Sequence, residues 1–285
     1  MKTKLTFTKS PMNYPGGKFK LLPQLVPLFP PQINNFIDLF CGGLDVSCNV
    51  SANYKYANDI DNYLIDIYKA FQNVTYDELI NFINIRIKEF NLTKYNYDGF
   101  IKYRTLYNKS KEYHTPLDLF VLSRFSYNNL IEIKNDKYNG AFGFNHSDFN
   151  LTQKAHTKFL HSKIQNINFS SYNFLDFNID LFNSNDFLYV DPPYLKSENV
   201  YKNIKKWNEN NEYELYNFLD EANKKGIKWG LSNLIFHKGE INEILEKWSY
   251  NYNIHDIYSN YSNSFYSNKT RNKNELSIEI FVTNY

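Results

Sequence analysis

Asp191-Pro192-Pro193-Tyr194 follows directly on the apolar run Phe187-Leu188-Tyr189-Val190. The Asp191 carboxylate and the Pro192 carbonyl make two hydrogen-bond acceptors on adjacent residues, and proline adds no N–H to compete. Such a pair suits the exocyclic amino group of a nucleobase. That nitrogen is a poor nucleophile because its lone pair is delocalised into the ring, and drawing its two N–H bonds toward fixed acceptors moves it toward a tetrahedral, more nucleophilic form. Two successive prolines stiffen the backbone that must hold this geometry. Tyr194 offers a ring face on which an extruded base can stack. Taken by itself, the same tetrapeptide also reads as an ordinary turn at a strand end.

Two further groups have residue types that chemistry needs. Asp38-Leu39-Phe40-Cys41-Gly42-Gly43 closes an apolar run, and Asp59 closes the next one. Glycines let backbone approach a ligand closely, and an acid about 20 residues on is where a ribose diol is held in nucleoside-binding folds. The phosphate-cradling GxGxxG is absent, which favours a nucleoside over a dinucleotide; the alternative is a tight turn followed by a surface acid. Tyr14-Pro15-Gly16-Gly17-Lys18 is no P-loop, because the earlier glycine is missing and Phe19 stands where Ser or Thr is required. It reads as a loop bringing an aromatic face, able to attract a cation, and an ammonium to a site, or as an exposed turn.

The elements that position these residues alternate. Phe36 to Phe40 and Tyr54 to Ala57 read as strands, with a helix expected from Leu44 and another carrying Leu64, Ile65, Tyr68 and Phe71. Pro23, Pro27 and Pro30 restrict residues 21–29 to a short or broken helix. Helices are expected at 76–90 and 116–127, followed by an irregular, turn-rich stretch over 128–150. Alternation resumes with strands at 167–171 and 187–190, a helix at 211–225 capped by Gly226, a strand at 227–232, a helix at 239–248, and an antiparallel pair from 252–258 and 276–283. The polar stretch 260–268 reads as a loop. The sum is an α/β fold: a doubly wound, Rossmann-like sheet formed by residues 1–74 and 163–285, with a mainly helical insertion at 75–162.

Composition narrows the class. The 285 residues are 42% hydrophobic and 22% charged, with net charge +2, which neither requires nor forbids a polyanionic partner. Tyr (25) and Phe (24) carry the 18% aromatic content, which an AT-rich genome would explain without any extended stacking surface. Cys41 and Cys48, with no histidine nearby, suit neither a disulfide framework nor a zinc site, so no metal is expected. No run approaches the ~18 apolar residues of a membrane span, and no signal peptide is read at the N-terminus. The expected location is the cytoplasm.

In this order, the Pro-Gly-Gly-Lys segment, the Phe-x-Gly segment, the acid at 59, the insertion and Asp-Pro-Pro-Tyr resemble the Dam-like (D12 class) DNA adenine-N6 methyltransferases, closest in pattern to the T-even phage type. The likeness extends to Gly230-Leu231-Ser232-Asn233 and to residues 279–285, and so covers nearly the whole chain. It implies a Rossmann-like methyltransferase that uses S-adenosylmethionine to methylate N6 of a flipped adenine in double-stranded DNA. Tyr14, Lys18, Asp59 and Asp191 match the family's cofactor contacts. Phe40 and Gly42, with Asp38 before them, match its cofactor loop, and Phe174 sits where an aromatic covers the cofactor adenine. Asp191, Pro192, Pro193 and Tyr194 match the catalytic motif. The inserted region becomes a target-recognition domain, and a cognate restriction endonuclease acting on the same site becomes a conceivable partner.

The recognition region departs from relatives that read GATC. They carry Arg after an aromatic-Asn-x-Leu turn; here the turn is Tyr127-Asn128-Asn129-Leu130-Ile131 and Glu132 stands at the Arg position. The later segment is Ala141-Phe142-Gly143-Phe144-Asn145, without the Pro and the following basic residue. Arg reads guanine in a bidentate manner, whereas Glu can only accept, for instance from cytosine N4 or adenine N6. The expected target therefore differs from GATC, or GATC is read weakly. Candidate DNA contacts are Tyr127, which either fills the gap left by the flipped base or is a core aromatic, together with Asn128, Leu130, Glu132 and Asn145. Lys205, Lys206, Lys269 and Arg271, with Lys202 and Lys273, are candidate phosphate contacts or simply solvated charges.

Three rival readings remain. N4-cytosine or N5-glutamine methylation would favour Ser or Asn at position 191, no residue distinguishes DNA from RNA, and a non-catalytic DNA-binding protein would be expected to have lost some of Lys18, Asp59, Asp191 and Tyr194.

Overall fold

A computed structural model describes residues 6–196, 207–258 and 277–285. Its strands are β1 (Asn35–Asp38), β2 (Tyr54–Asn58), β3 (Ile133–Lys134), β4 (Lys137–Tyr138), β5 (Ile167–Ser170), β6 (Phe187–Val190), β7 (Lys228–His237), β8 (Glu240–Ile241), β9 (Asn253–Ile257) and β10 (Ser277–Thr283). Its α-helices are α1 (Leu22–Leu25), α2 (Asn62–Gln72), α3 (Tyr76–Glu89), α4 (Tyr97–Lys109), α5 (Pro116–Phe125), α6 (Leu151–Ile164), α7 (Glu209–Lys224) and α8 (Glu243–Ser249).

The main sheet runs β5-β2-β1-β6-β7-β10-β9, with β8 pairing at the end of β7. The first five strands are parallel, and β10 enters antiparallel between β7 and β9. Strand periodicity divides the core between the two faces. Phe36, Phe187, Tyr189 and Phe281 point to one face, under α1 and Phe29. Ile37, Leu188, Val190, Leu231, Ile280 and Val282 point to the other, under Leu215 and Leu219 of α7 and Leu245 of α8. Strands covered on both faces read as near-continuous apolar runs, which is why β6 was legible.

Residues 75–162 hold α3 to α6 and the small β3-β4 hairpin. Their core is continuous with α2: Ile65 and Phe71 pack in the same cluster as Ile83, Phe100, Phe120 and Leu160. Helices α4 and α6 were not expected. Each begins at an asparagine whose side chain accepts a backbone N–H, Asn96 from Gly99 and Asn150 from Gln153. Their buried faces are sparse and include Tyr103 and Tyr107 in α4 and Thr157 in α6, so the 3.6-residue pattern is faint.

Three local expectations need correction. No helix follows Leu44: Leu44 has φ 63°, and residues 42–50 form a run of turns. The side chains there bond away from the segment, Asp45 to the Ser10 amide and Ser47 to Asp38, which a regular helix would not place. Strand β7 extends past residue 232 to His237 because β10 pairs with it that far. The following helix starts at Glu243 instead of 239, since Lys238 (φ 50°) and Gly239 (φ 89°) turn the chain from β7 into β8.

Candidate functional site

A cavity of about 570 Å³ opens at the carboxyl ends of β1, β2 and β6. Strand β1 is flanked by β2 on one side and β6 on the other, so the loops leaving β1 and β6 diverge and leave a crevice between them. Ligands of open α/β sheets bind in such crevices. The cavity is lined by Tyr14, Lys18, Asp38, Phe40, Gly42, Asp59, Phe174 and Asp191, all expected site residues, together with Pro193. Pro192, between the lining residues Asp191 and Pro193, is buried.

At one end Asp191 leaves β6 with Oδ1 2.8 Å from Lys18 Nζ. The Tyr194 hydroxyl lies 3.0 Å from the same oxygen and 3.0 Å from Glu279 Oε1, its single proton shared between them. Lys18 Nζ also donates to the Gly16 carbonyl at 2.8 Å, stands 3.7 Å from Glu279 Oε1, and sits 4.9 Å from the Tyr194 ring centroid. Burial would lower the Lys18 pKa, but the carboxylates of Asp191 and Glu279 outweigh it and raise it. Burial pushes Asp191 up to about 6 even though Lys18 and the Tyr194 hydroxyl pull it down. Lysine stays charged here; the aspartate is poised to take a proton near neutrality.

At the other end Asp59 is fixed by backbone: Oδ2 accepts from the Gly42 amide at 2.9 Å and Oδ1 from the Asp61 amide at 2.9 Å. Each oxygen keeps a second lone pair for a ligand. Gly42 is required where it stands. Its φ is +42°, and a Cβ there would lie 2.8 Å from Tyr14 Cδ1. The Phe40, Phe174 and Trp207 rings enclose an apolar corner, with centroids 5.6 to 5.9 Å apart. Asp38 Oδ2 accepts from Ser47 Oγ at 2.5 Å, while the buried Oδ1 has no hydrogen-bond partner among the described residues. Burial raises Asp38 to about 7 and Asp59 to about 6. The cavity thus holds several carboxyl groups besides Lys18.

Outside the cavity, the 3-10 turn Tyr127–Asn129 presents Tyr127 to solvent at 46% exposure, which removes the core-aromatic reading. Asn128 and Asn129 are both left-handed, with φ 56° and 54°. Leu130 and Glu132 are half-buried, and the Glu132 carbonyl accepts from the Asn139 amide. Asn145 is exposed, and its side-chain oxygen accepts from the Tyr95 hydroxyl. These residues do not line the cavity; the Asn13 side chain, donating to the Asn128 carbonyl at 2.6 Å, joins the cavity's N-terminal loop to the turn. Lys202, Lys205, Lys206, Lys269, Arg271 and Lys273 lie outside the described residues.

Sequence reasoning gave no site role to Trp207 or to Glu279, which entered only as the first residue of the C-terminal likeness. Glu279 is 1% exposed on β10, where the register against β7 shifts between Ile278 and Glu279. Such a bulge re-aims a side chain, and the acid inside an otherwise apolar strand was the available signal. Trp207 precedes α7, and its indole N–H donates to buried Glu212 at 2.9 Å. Among the described residues no group of side chains could hold a metal ion, and no helix is long and apolar enough to cross a membrane.

The family described as D12 class N6 adenine-specific DNA methyltransferase matches residues 14–263. The type II methyltransferase M.FokI of Planomicrobium okeanokoites is 40% identical over 98% of this chain and 43% of its own length. The modification methylase StsI of Streptococcus sanguinis is 38% identical over 98% of this chain and 43% of its own. The modification methylase LlaI of Lactococcus lactis subsp. lactis is 29% identical over 87% of this chain and 40% of its own. The chain therefore spans less than half the length of these relatives.

Proposed function

This chain belongs to the D12 class N6 adenine-specific DNA methyltransferases, and from that premise we propose that it transfers a methyl group from S-adenosylmethionine to N6 of an adenine turned out of double-stranded DNA at a specific site. One observation carries the reading: Asp191 stands at the end of β6, its Oδ1 engaged by Lys18 and Tyr194, in the cavity that Asp59 closes at its other end.

The cavity suits the cofactor on three counts. Asp38 Oδ1, buried with no hydrogen-bond partner among the described residues, calls for a donor such as the ligand's ammonium. Asp59 keeps lone pairs for a ribose diol, and Phe40, Phe174 and Trp207 form an apolar corner for a purine. Carboxyl groups outnumber Lys18 in the cavity lining and favour a cation. When bound, S-adenosylmethionine supplies a sulfonium-activated methyl group.

The chain's own groups do the rest. Lys18 and Tyr194 hold Asp191 through Oδ1, leaving Oδ2 for one amino proton of the base, while the Pro192 carbonyl takes the other. Both acceptors are fixed before the base arrives, so no reorganisation is needed as nitrogen gains tetrahedral character. Once methylated, the nitrogen gives up a proton, and Asp191, raised to about 6, can receive it. The Tyr194 ring is a stacking face for the base once its hydroxyl leaves Glu279.

Residues 75–162 serve as target-recognition domain beside a catalytic domain of 1–74 and 163–285. Tyr127, on its exposed turn, fills the space left by the flipped base, and Glu132 replaces a guanine-reading Arg, so the target differs from GATC or GATC is read weakly. The relatives' names as type II methyltransferase and modification methylases support a cytoplasmic protein with a cognate restriction endonuclease. The test is expression in a methylation-free host with N6-methyladenine mapped by direct long-read sequencing. A single motif methylated by the wild type and lost in Asp191→Ala is expected; methylation that survives the substitution overturns the reading.

A further inference from the structure

Arg124, on α5, is fully buried, and among the described residues no carboxylate pairs with it. A buried cation without a counter-charge is costly and persists only where its hydrogen bonds are all made. Arg124 makes five. Nε and Nη2 donate to Ser123 Oγ at 3.2 and 3.0 Å, Nη1 to Gln153 Oε1 at 3.3 Å, Nη2 to the Asn129 carbonyl at 3.2 Å, and Nη1 to the Pro11 carbonyl. The last two connect separate parts of the molecule. Asn129 ends the left-handed pair in the recognition turn, and Pro11 begins the loop that carries Tyr14 and Lys18 to the cavity.

A second, outer strut runs alongside, from the Asn13 side chain to the Asn128 carbonyl. Two successive carbonyls of the strained turn are thus tied to residues 11–13, and Tyr14 follows immediately, packed on Gly42 at the cofactor end. Non-glycine residues with positive φ persist only where surroundings over-determine them, and they cluster at binding and switch segments. We infer that Arg124 is a positioning residue coupling the cofactor loop to the target-recognition turn, so that filling the cavity orders Tyr127 and Asn128 for DNA, and DNA in turn tightens cofactor binding. The planar guanidinium suits this task, because it alone reaches two carbonyls at fixed angles from one side chain.

The inference rests on the proposed cofactor site, and the test separates the two. Hydrogen exchange of the full chain is followed with and without S-adenosylhomocysteine. In the wild type the ligand should slow exchange at residues 38–60, around its own site, and also at the amides of 127–130, about tenfold for a coupling of usual size. Arg124→Met, and Arg124→Lys, which keeps the charge and loses the fork, should retain protection at 38–60 and lose it at 127–130. Asn13→Ala, which removes an exposed hydrogen bond, should reduce the effect at 127–130 without abolishing it. Ligand protection at 38–60 with none at 127–130 in the wild type overturns the coupling, and so does an unchanged effect in Arg124→Met. If Arg124→Met fails to fold, Asn13→Ala decides alone, and an unchanged effect there overturns the coupling. Protection nowhere in the wild type overturns the cofactor site instead.

Discussion

Lys18 Nζ lies 2.8 Å from Asp191 Oδ1, joining the N-terminal loop to the end of β6 in the lining of the cavity. Lys18 is 4% exposed and the Asp191 side chain 17%, so the lysine is sealed in while the carboxylate keeps one side accessible. The pair therefore orients Asp191 without consuming it.

Removing the carboxylate should stop the chemistry while leaving the cofactor corner in place. Asp191→Ala is expected to lower the single-turnover rate on the order of 10³-fold, the scale of losing a preorganised polar group at a reacting centre. The S-adenosylhomocysteine affinity should change far less, because Asp59 and the Phe40, Phe174 and Trp207 corner are untouched. Labelled methyl incorporation beside calorimetric titration measures both.

Lys18→Met should move the acid limb of the rate profile. Burial already raises Asp191 to about 6, and Lys18 is the chief group holding it down. Without the ammonium, Asp191 and Glu279 face one another uncompensated, so Asp191 should protonate at higher pH. The pH at half-maximal rate is expected to rise above the wild-type value; an unchanged acid limb would show that Lys18 does not set the state of Asp191.

The ligand-free protein should lose stability as pH rises from about 4 to about 7. Asp38 and Asp59 have folded-state values of about 7 and about 6, above the ~3.9 of an unfolded Asp. In that window the native state binds more protons than the unfolded chain, so their contribution falls with increasing pH. Asp38→Asn should flatten the decline of the thermal midpoint. A cationic ligand prefers the ionised acids, so S-adenosylmethionine affinity should weaken as pH drops below about 7.

Gly42→Ala is expected to weaken cofactor binding about tenfold or more and to cost on the order of 1–3 kcal/mol of stability, since a side chain there is strained by its backbone and meets the Tyr14 ring at 2.8 Å. Ligand titration and a denaturant midpoint report the two effects.

Glu132→Ala should relax base preference at one position of the target. A lost base-edge contact is worth about 1–3 kcal/mol of discrimination, so the mapped motif should degenerate there while S-adenosylhomocysteine affinity holds. Methylation of GATC duplexes at full rate by the wild type would show that Glu132 does not exclude that site.

Much of this was legible in the chain because its signals are local. An apolar run ending in Asp191-Pro192-Pro193, another ending in Asp38 and the Gly42-Gly43 turn, and a third ending in Asn58-Asp59 place candidate site residues at strand ends, and parallel alignment of β2, β1 and β6 puts those ends together. Period and turn chemistry depend on neighbours a few residues apart, so they survive in one dimension. Tertiary structure alone decided that Glu279 joins Lys18 and Tyr194, because that requires β10 to slot between β7 and β9 with a bulge that turns the side chain inward. It also decided that Arg124 spans Pro11 and Asn129, and that Trp207 closes the corner of Phe40 and Phe174. Which buried charge meets which partner is settled by long-range packing, and no local pattern encodes it.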